Sequence, residues 1–204
     1  MKEQVNIICF GDSITEAEGF PENDKWPNLL QAKLDDLFKG KYKVYNRGIG
    51  GNTTSQGFER IPTDVIPYLP AVVLIQFGFN DANVRDWAEV PRVGLEEYKK
   101  NLYEFHRIIG SQQGRSVFIV NHSIIPNAKK QLNGKTYYDN FMPYNEAVKE
   151  IARDVGTPII DLPVIMKNRK VDLKEFVIED GLHLSANGNH IYADMVFERL
   201  KEII

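Results

Sequence analysis

Five residues of this chain could do chemistry together: a serine, an aspartate–histidine pair, an asparagine and a glycine. Ser13 lies in Phe10-Gly11-Asp12-Ser13-Ile14-Thr15-Glu16, directly after the apolar run that starts at Val5. A serine hydroxyl is a weak nucleophile at its own pKa, so it needs a base and a stabiliser for the charge it creates. Asp180 and His183, in Glu179-Asp180-Gly181-Leu182-His183-Leu184-Ser185, can supply the base. Three residues apart in a turn, the carboxylate can approach one imidazole nitrogen and leave the other free. The base then takes the hydroxyl proton, while the acid fixes its tautomer and stabilises the imidazolium. The developing oxyanion needs donors. The sequence offers the unshielded Gly51 amide, the Asn80 side chain in Gly78-Phe79-Asn80-Asp81, and the Ser13 amide. Each residue also has a plain reading. Ser13 could cap a helix, Asp180 and Asn80 could shape turns, and His183 could be a surface imidazole. Their joint presence favours chemistry.

The elements that would position these residues follow from the hydrophobic pattern. Val5 to Phe10 reads as a strand, and Trp26 to Phe38 as a helix that stops before Gly40. Tyr42 to Tyr45 is a second strand. The Gly-rich loop Asn46 to Thr54 follows, then a helix from about Ser55 towards Ile66, bent or shortened by Pro62. Ala71 to Phe77 is apolar almost without alternation, as expected of a parallel strand covered on both faces. Leu95, Tyr98, Leu102, Phe105 and Ile109 mark a helix, and Val117 to Val120 a fourth strand. An irregular stretch from Ile125 to Asn140 leads to a helix over Phe141 to Val155. Pro158 to Leu162 is a fifth strand, and Ala186 to Ile203 a last helix with Ser185 as its N-cap. This alternation implies an α/β fold: a flavodoxin-like three-layer α/β/α domain with five parallel strands in the order 2-1-3-4-5. The whole chain, 1–204, reads as one domain. Ligands of such sheets bind beyond the carboxyl ends of the strands, where the winding reverses. Ser13, the Gly48–Thr54 loop and Asn80 all fall at such ends.

Composition excludes several function classes. The chain is 43% hydrophobic and 26% charged, with a net charge of −3. It has no electrostatic reason to bind nucleic acid or anionic membrane. Its single cysteine, Cys9, rules out an internal disulfide and reads as a buried core residue. No zinc-type spacing, cleavage-type leader or run of about 20 apolar residues is present. The expectation is a cytoplasmic protein without membrane insertion. Asp12 and Asp81 read as loop braces, His122 as a lining or structural residue, and His106 and His190 as structural. Trp26, Trp87, Tyr137, Tyr138 and Phe141 could line an acyl or sugar pocket or simply pack.

The sequence resembles the SGNH hydrolases, the GDSL esterase/lipase family, in four ordered blocks. They are Gly11-Asp12-Ser13-Ile14-Thr15, Asn46-Arg47-Gly48-Ile49-Gly50-Gly51-Asn52-Thr53-Thr54, Gly78-Phe79-Asn80-Asp81 and Asp180-Gly181-Leu182-His183. The resemblance implies Ser13 as nucleophile, Asp180 and His183 as its acid and base, and Ser13, Gly51 and Asn80 as the oxyanion hole, with no metal or cofactor. Gly48 and Gly50 lie close enough to compete with Gly51. Phe79 departs from the small residue or threonine usual before the asparagine. Thr15 stands where Gly-x-Ser-x-Gly would place its second glycine, which argues against an α/β-hydrolase elbow.

The expected activity is hydrolysis of a small-molecule carboxylic ester through an acyl-enzyme. A short acyl group is expected, such as an acetyl on a sugar or a simple alcohol. A lysophospholipase or thioesterase is the alternative within the family. The alternatives from other classes are a flavin- or nucleotide-binding module built on the Gly-rich loop, and a silent carbohydrate-binding relative. The loops Ala82 to Gly94 and Ile125 to Asn140 are expected to border the site and choose its substrate; both are short for a lipase lid.

Overall fold

A computed structural model describes residues 4–204. The chain runs β1 (Val5–Gly11), α1 (Ser13–Glu16), α2 (Trp26–Phe38), β2 (Tyr42–Gly48), α3 (Thr54–Asp64), β3 (Ala71–Gln76), α4 (Leu95–Ser111), β4 (Arg115–Val120), α5 (Tyr137–Val155), β5 (Ile159–Asp161), α6 (Leu162–Arg169), α7 (Leu173–Phe176) and α8 (Ala186–Leu200). The five strands form one parallel sheet in the order β2-β1-β3-β4-β5, as the alternation of elements predicts.

The two faces of the sheet are closed by different aromatic clusters. α2 and α8 pack together on one face, where the buried Trp26 and Tyr192 rings meet with centroids 4.8 Å apart. On the other, α4 lies between α3 and α5 and brings Phe105 against Phe10 and Phe77 at 5.6 and 5.9 Å. Every residue of β3 is buried, which explains its unalternating apolar sequence. Each large side chain taken from water in this way contributes roughly 1.5–3 kcal/mol.

Strand register brings the polar loops together. Gly11 pairs with Gly48 of β2 on one side and with Gln76 of β3 on the other, so three strands end level. A Cβ on Gly48 would fall on the backbone of Thr15 and Glu16, so only glycine lets β2 leave the sheet so close to α1.

Several boundaries differ from the pattern-based expectation. β2 runs on to Gly48, because β1 continues to offer it backbone partners. β5 shrinks to Ile159–Asp161, where Asp161 accepts from the Val164 amide and starts α6. α5 begins at Tyr137, four residues early, because Thr136 and Asp139 form a reciprocal capping box. Pro143 lies inside that helix without ending it. α6 and α7 were not expected; each is short and starts on an aspartate cap, too brief to show a hydrophobic period. α8 ends at Leu200. Among the described residues, no helix is long and apolar enough to cross a membrane.

Candidate active site

The turn after β1 places Ser13 at the start of α1. Asp12 is the cap: its carboxylate accepts from the Ile14 amide at 3.0 Å, which leaves the Ser13 hydroxyl free of that duty. As the first residue of α1, Ser13 has an amide with no intrahelical acceptor. Its Oγ lies 3.0 Å from His183 Nε2, across 170 residues of sequence.

The turn before α8 supplies the partner. His183 Nδ1 lies 2.6 Å from Asp180 Oδ2, while Asp180 Oδ1 accepts from the Leu182 and His183 amides at 2.8 and 2.9 Å. One carboxylate thus shapes the turn and orients the ring. Partial burial raises the Asp180 carboxyl, but the imidazole and the two amides outweigh it and hold it below the usual carboxylate range. With Nδ1–H directed at the carboxylate, Nε2 is left to accept from the serine. Both side chains remain nearly half exposed, at 46% and 43%.

Two contacts from the segment after β4 hold this turn. The Ile125 amide donates to Gly181 O at 2.8 Å. His122 Nε2 donates to Leu182 O at the same distance. His122 is completely buried among Phe79, Phe176 and Tyr192. Burial pushes its pKa down to about 4, so the ring is neutral at physiological pH. It braces the turn through Leu182 O and also lines a separate cavity.

The candidate oxyanion donors Gly51 and Asn80 follow β2 and β3. Gly50 and Gly51 are distinguished by their amides. The Gly50 amide donates to Glu16 Oε2 at 2.6 Å, whereas the Gly51 amide has no acceptor among the described residues. Gly51 adopts φ +74°, a left-handed conformation that suits glycine. The Glu16 carboxylate also puts negative charge where a bound phosphate would need amides, which disfavours a nucleotide cradle. Asn80 shares a cavity with Ser13, and its Nδ2 lies 3.5 Å from Asp12 Oδ2. Asp81 accepts from the Thr54 amide and hydroxyl at 2.9 and 2.5 Å, tying the β3 turn to the start of α3. Burial raises Asp12 to about 7 and Asp81 to about 6, against the hydrogen bonds each accepts. Both are braces, as expected.

Two cavities flank Ser13 and His183. One, of about 300 Å³, is lined largely by apolar groups, among them Ile14, Ala17, Phe20, Ile178 and Leu184. The other, of about 310 Å³, is walled by Phe79, Asn80, Asn83, Gln131 and Tyr137. Gln131 Nε2 donates to Asn83 Oδ1 and Val84 O at 2.7 and 3.0 Å, which clasps the two bordering loops to each other. Of the aromatic residues considered, only Tyr137 lines a cavity beside Ser13. Trp26 and Phe141 are core, Tyr138 faces a separate cavity, and Trp87 is 83% exposed. His106 Nδ1 bonds Ser116 Oγ at 2.7 Å, away from the site.

Sequence reasoning passed over Glu16, Gln131 and Arg92. Arg92 Nη1 donates to Gly51 O at 2.8 Å and to Asn80 Oδ1 at 3.3 Å. A loop arginine reads as solvated surface, and nothing local announces partners 12 and 41 residues away.

Residues 9–191 match the model of the GDSL-like lipase/acylhydrolase family. The chain belongs to that family. As a member it is an esterase/acylhydrolase. Among curated relatives of this GDSL-type protein, the isoamyl acetate-hydrolyzing esterase 1 homolog of Mus musculus is 30% identical over 90% of this chain and 76% of its own length. The lipase/acylhydrolase from Enterococcus faecalis superposes with a TM-score of 0.79 at 24% identity, covering 98% of this chain and 96% of that one. The acetylxylan esterase Axe2 from Geobacillus stearothermophilus gives 0.78 at 21% identity, with coverage of 97% and 95%. At these identities the two structures speak for the fold.

Proposed function

We propose that this GDSL-type esterase hydrolyses short-chain carboxylic esters, acetyl esters foremost, through an acyl-Ser13 intermediate. The observation that carries the reading is the unbroken path from Ser13 Oγ through His183 to Asp180, at 3.0 and 2.6 Å. His183 removes the hydroxyl proton as Ser13 attacks the ester carbonyl. The tetrahedral oxyanion is held by the amides of Ser13 and Gly51 and the Asn80 side chain. His183 then gives its proton to the departing alcohol, and water repeats the sequence on the acyl-enzyme.

The two cavities divide the substrate. The apolar cavity suits the acyl group. Asn83 and Tyr137 keep hydrogen-bonding capacity for the alcohol portion, which favours a hydroxyl-bearing alcohol such as a sugar. The mouse relative is named for an acetate ester, and Axe2 is an acetylxylan esterase. Both names support an acetyl substrate here. The test compares p-nitrophenyl esters of increasing acyl length with acetylated sugars, using wild type and Ser13→Ala. Turnover should be greatest with acetate or butyrate, decline with longer acyl chains, and vanish in Ser13→Ala while the fold is retained. Hydrolysis by Ser13→Ala at the wild-type rate defeats the mechanism; a preference for long acyl chains defeats the substrate assignment.

A further inference from the structure

An oxyanion hole works only if its donors stay aimed, and two of the three proposed donors are intrinsically loose. Gly51 has no side chain and φ +74°, and its peptide can rotate at little steric cost. Asn80 ends in an amide that can flip, exchanging donor for acceptor. Glu16 fixes one side of the glycine pair by accepting from the Gly50 amide. The other side is fixed by Arg92.

The Arg92 fork reaches three acceptors: Gly51 O at 2.8 Å, Asn80 Oδ1 at 3.3 Å and Gln56 Oε1 at 3.2 Å. A guanidinium only donates, so it accepts just one orientation of the Asn80 amide, the one with Oδ1 towards it. Nδ2 then points the other way, towards Asp12 Oδ2 at 3.5 Å and the cavity it shares with Ser13. Arg92 Nη1, which holds Asn80 Oδ1, also anchors the Gly51 carbonyl, which limits rotation of that residue. Withdrawal of electron density through Oδ1 also makes the Asn80 N–H a better donor.

The arginine itself is delivered by a fixed backbone. Its amide donates to Asn83 O at 3.0 Å, and the Val93 amide donates to Asp81 O at 3.1 Å. The Val93 carbonyl accepts from Tyr144 Oη at 2.6 Å. The Ala82–Gly94 loop therefore returns to the residues next to Asn80 before α4 begins.

Resting on the esterase reading above, we infer that Arg92 is a positioning residue that sets the aim of both Gly51 and Asn80 in the oxyanion hole. It touches neither the ester nor the reacting atoms. Its effect should fall on the transition state alone, because the ground-state carbonyl makes little demand on these donors.

The experiment measures kcat and KM on p-nitrophenyl acetate, the affinity of a short alkyl boronic acid (whose serine adduct is tetrahedral and anionic), and Tm. The proteins compared are wild type, Arg92→Ala, Arg92→Lys and Asn80→Ala. Removing one oxyanion donor outright typically costs on the order of 10²–10³ in kcat. Asn80→Ala should show a loss of that size. Arg92→Ala should lose about 10–100-fold in kcat. Its KM should stay within about three-fold, and boronate affinity should fall in parallel. Arg92→Lys should recover part of the loss, since an ammonium reaches one acceptor but not the forked set. Added guanidinium should partly rescue Arg92→Ala. If Arg92→Ala fails to fold, Arg92→Lys carries the same readouts. The inference falls if kcat stays within two-fold of wild type, or if kcat drops while boronate affinity is unchanged. An inert wild type would instead refute the esterase reading, so the two failures are distinguishable.

Discussion

The exposure of Asp180 decides how much it contributes, and Asp180→Asn tests that. Its carboxylate accepts three hydrogen bonds, two from backbone amides and one from His183 Nδ1. The side chain is 43% exposed and that of His183 46%, so water screens the pair. Opposite charges about 4 Å apart attract by roughly 1 kcal/mol in water and roughly 4 kcal/mol at the effective dielectric of a protein surface. Loss of that attraction to the imidazolium in the transition state lowers kcat by between about five-fold and about 10³-fold. The substitution adds a second effect. If the asparagine oxygen keeps the two backbone amides, its NH₂ faces His183 Nδ1 and favours the tautomer with hydrogen on Nε2. That nitrogen can then no longer accept the serine proton. Asp180→Asn should therefore lie at the upper end of the range and exceed Asp180→Ala, whose imidazole is free to choose its tautomer. Both losses should stay smaller than the roughly 10⁴-fold loss that follows removal of a buried triad acid's charge in serine proteases. The assay is kcat on saturating p-nitrophenyl acetate. A kcat within two-fold of wild type would show Asp180 to be a turn residue only. A loss as complete as that of Ser13→Ala would refute the screening argument.

Three further predictions concern stability. His122 titrates near 4 when folded, below its ordinary 6.5, so the unfolded chain binds the extra proton in between. Wild type should lose up to about 3 kcal/mol from this group as pH falls from 6.5 to 4. His122→Phe should lack that slope in urea unfolding, and an unchanged slope would contradict the assignment. Asp81 has the opposite sign. Its folded pKa of about 6 exceeds 3.8, so its contribution is present below pH 4 and lost as pH rises through 6. Asp81→Asn keeps an oxygen for Thr54; relative to wild type it should gain up to about 3 kcal/mol between pH 4 and pH 7. A pH-independent difference would count against it. Gly48→Ala should fold poorly or unfold many degrees lower in a thermal melt, because its Cβ meets the Glu16 backbone; a wild-type Tm would show that β2 and α1 can separate.

What could be read from the sequence is what has a local physical signature. The sheet order follows from the largely apolar strands β1 and β3, seven and six residues long, and from amphipathic helices between them. Ser13, Asn80 and the Asp180–His183 turn were found because each is a reactive or donor residue placed at a strand end or before a capped helix. The resemblance points to Gly51 but leaves Gly48 and Gly50 as competitors, because what separates Gly50 from Gly51 is the amide that Glu16 occupies, 34 residues away. Arg92 was missed for the same reason. Asp139, by contrast, sits three residues after Thr136, so the early start of α5 carried a local signal that went unused.

The two halves of the site are built differently, and the chemistry explains why. The proposed oxyanion half is braced from below by the buried Asp12 under Ser13 and Asp81 under Thr54, and by the partly buried Arg60, whose guanidinium lies 4.5 Å from the Phe10 ring and donates to Gly11 O at 2.6 Å. Donors that must already point correctly when charge appears gain from such rigidity, because they need no reorganisation at that moment. The base half is a half-exposed turn, held by His122 and Ile125 only through backbone carbonyls. On the proposed mechanism His183 exchanges protons with serine, alcohol and water in turn, which suits a turn open to solvent. Substitutions beneath the oxyanion half should thus act on kcat with little tolerance for misalignment. Those around the His183 turn should be softer, and graded by how far they let Leu182 move.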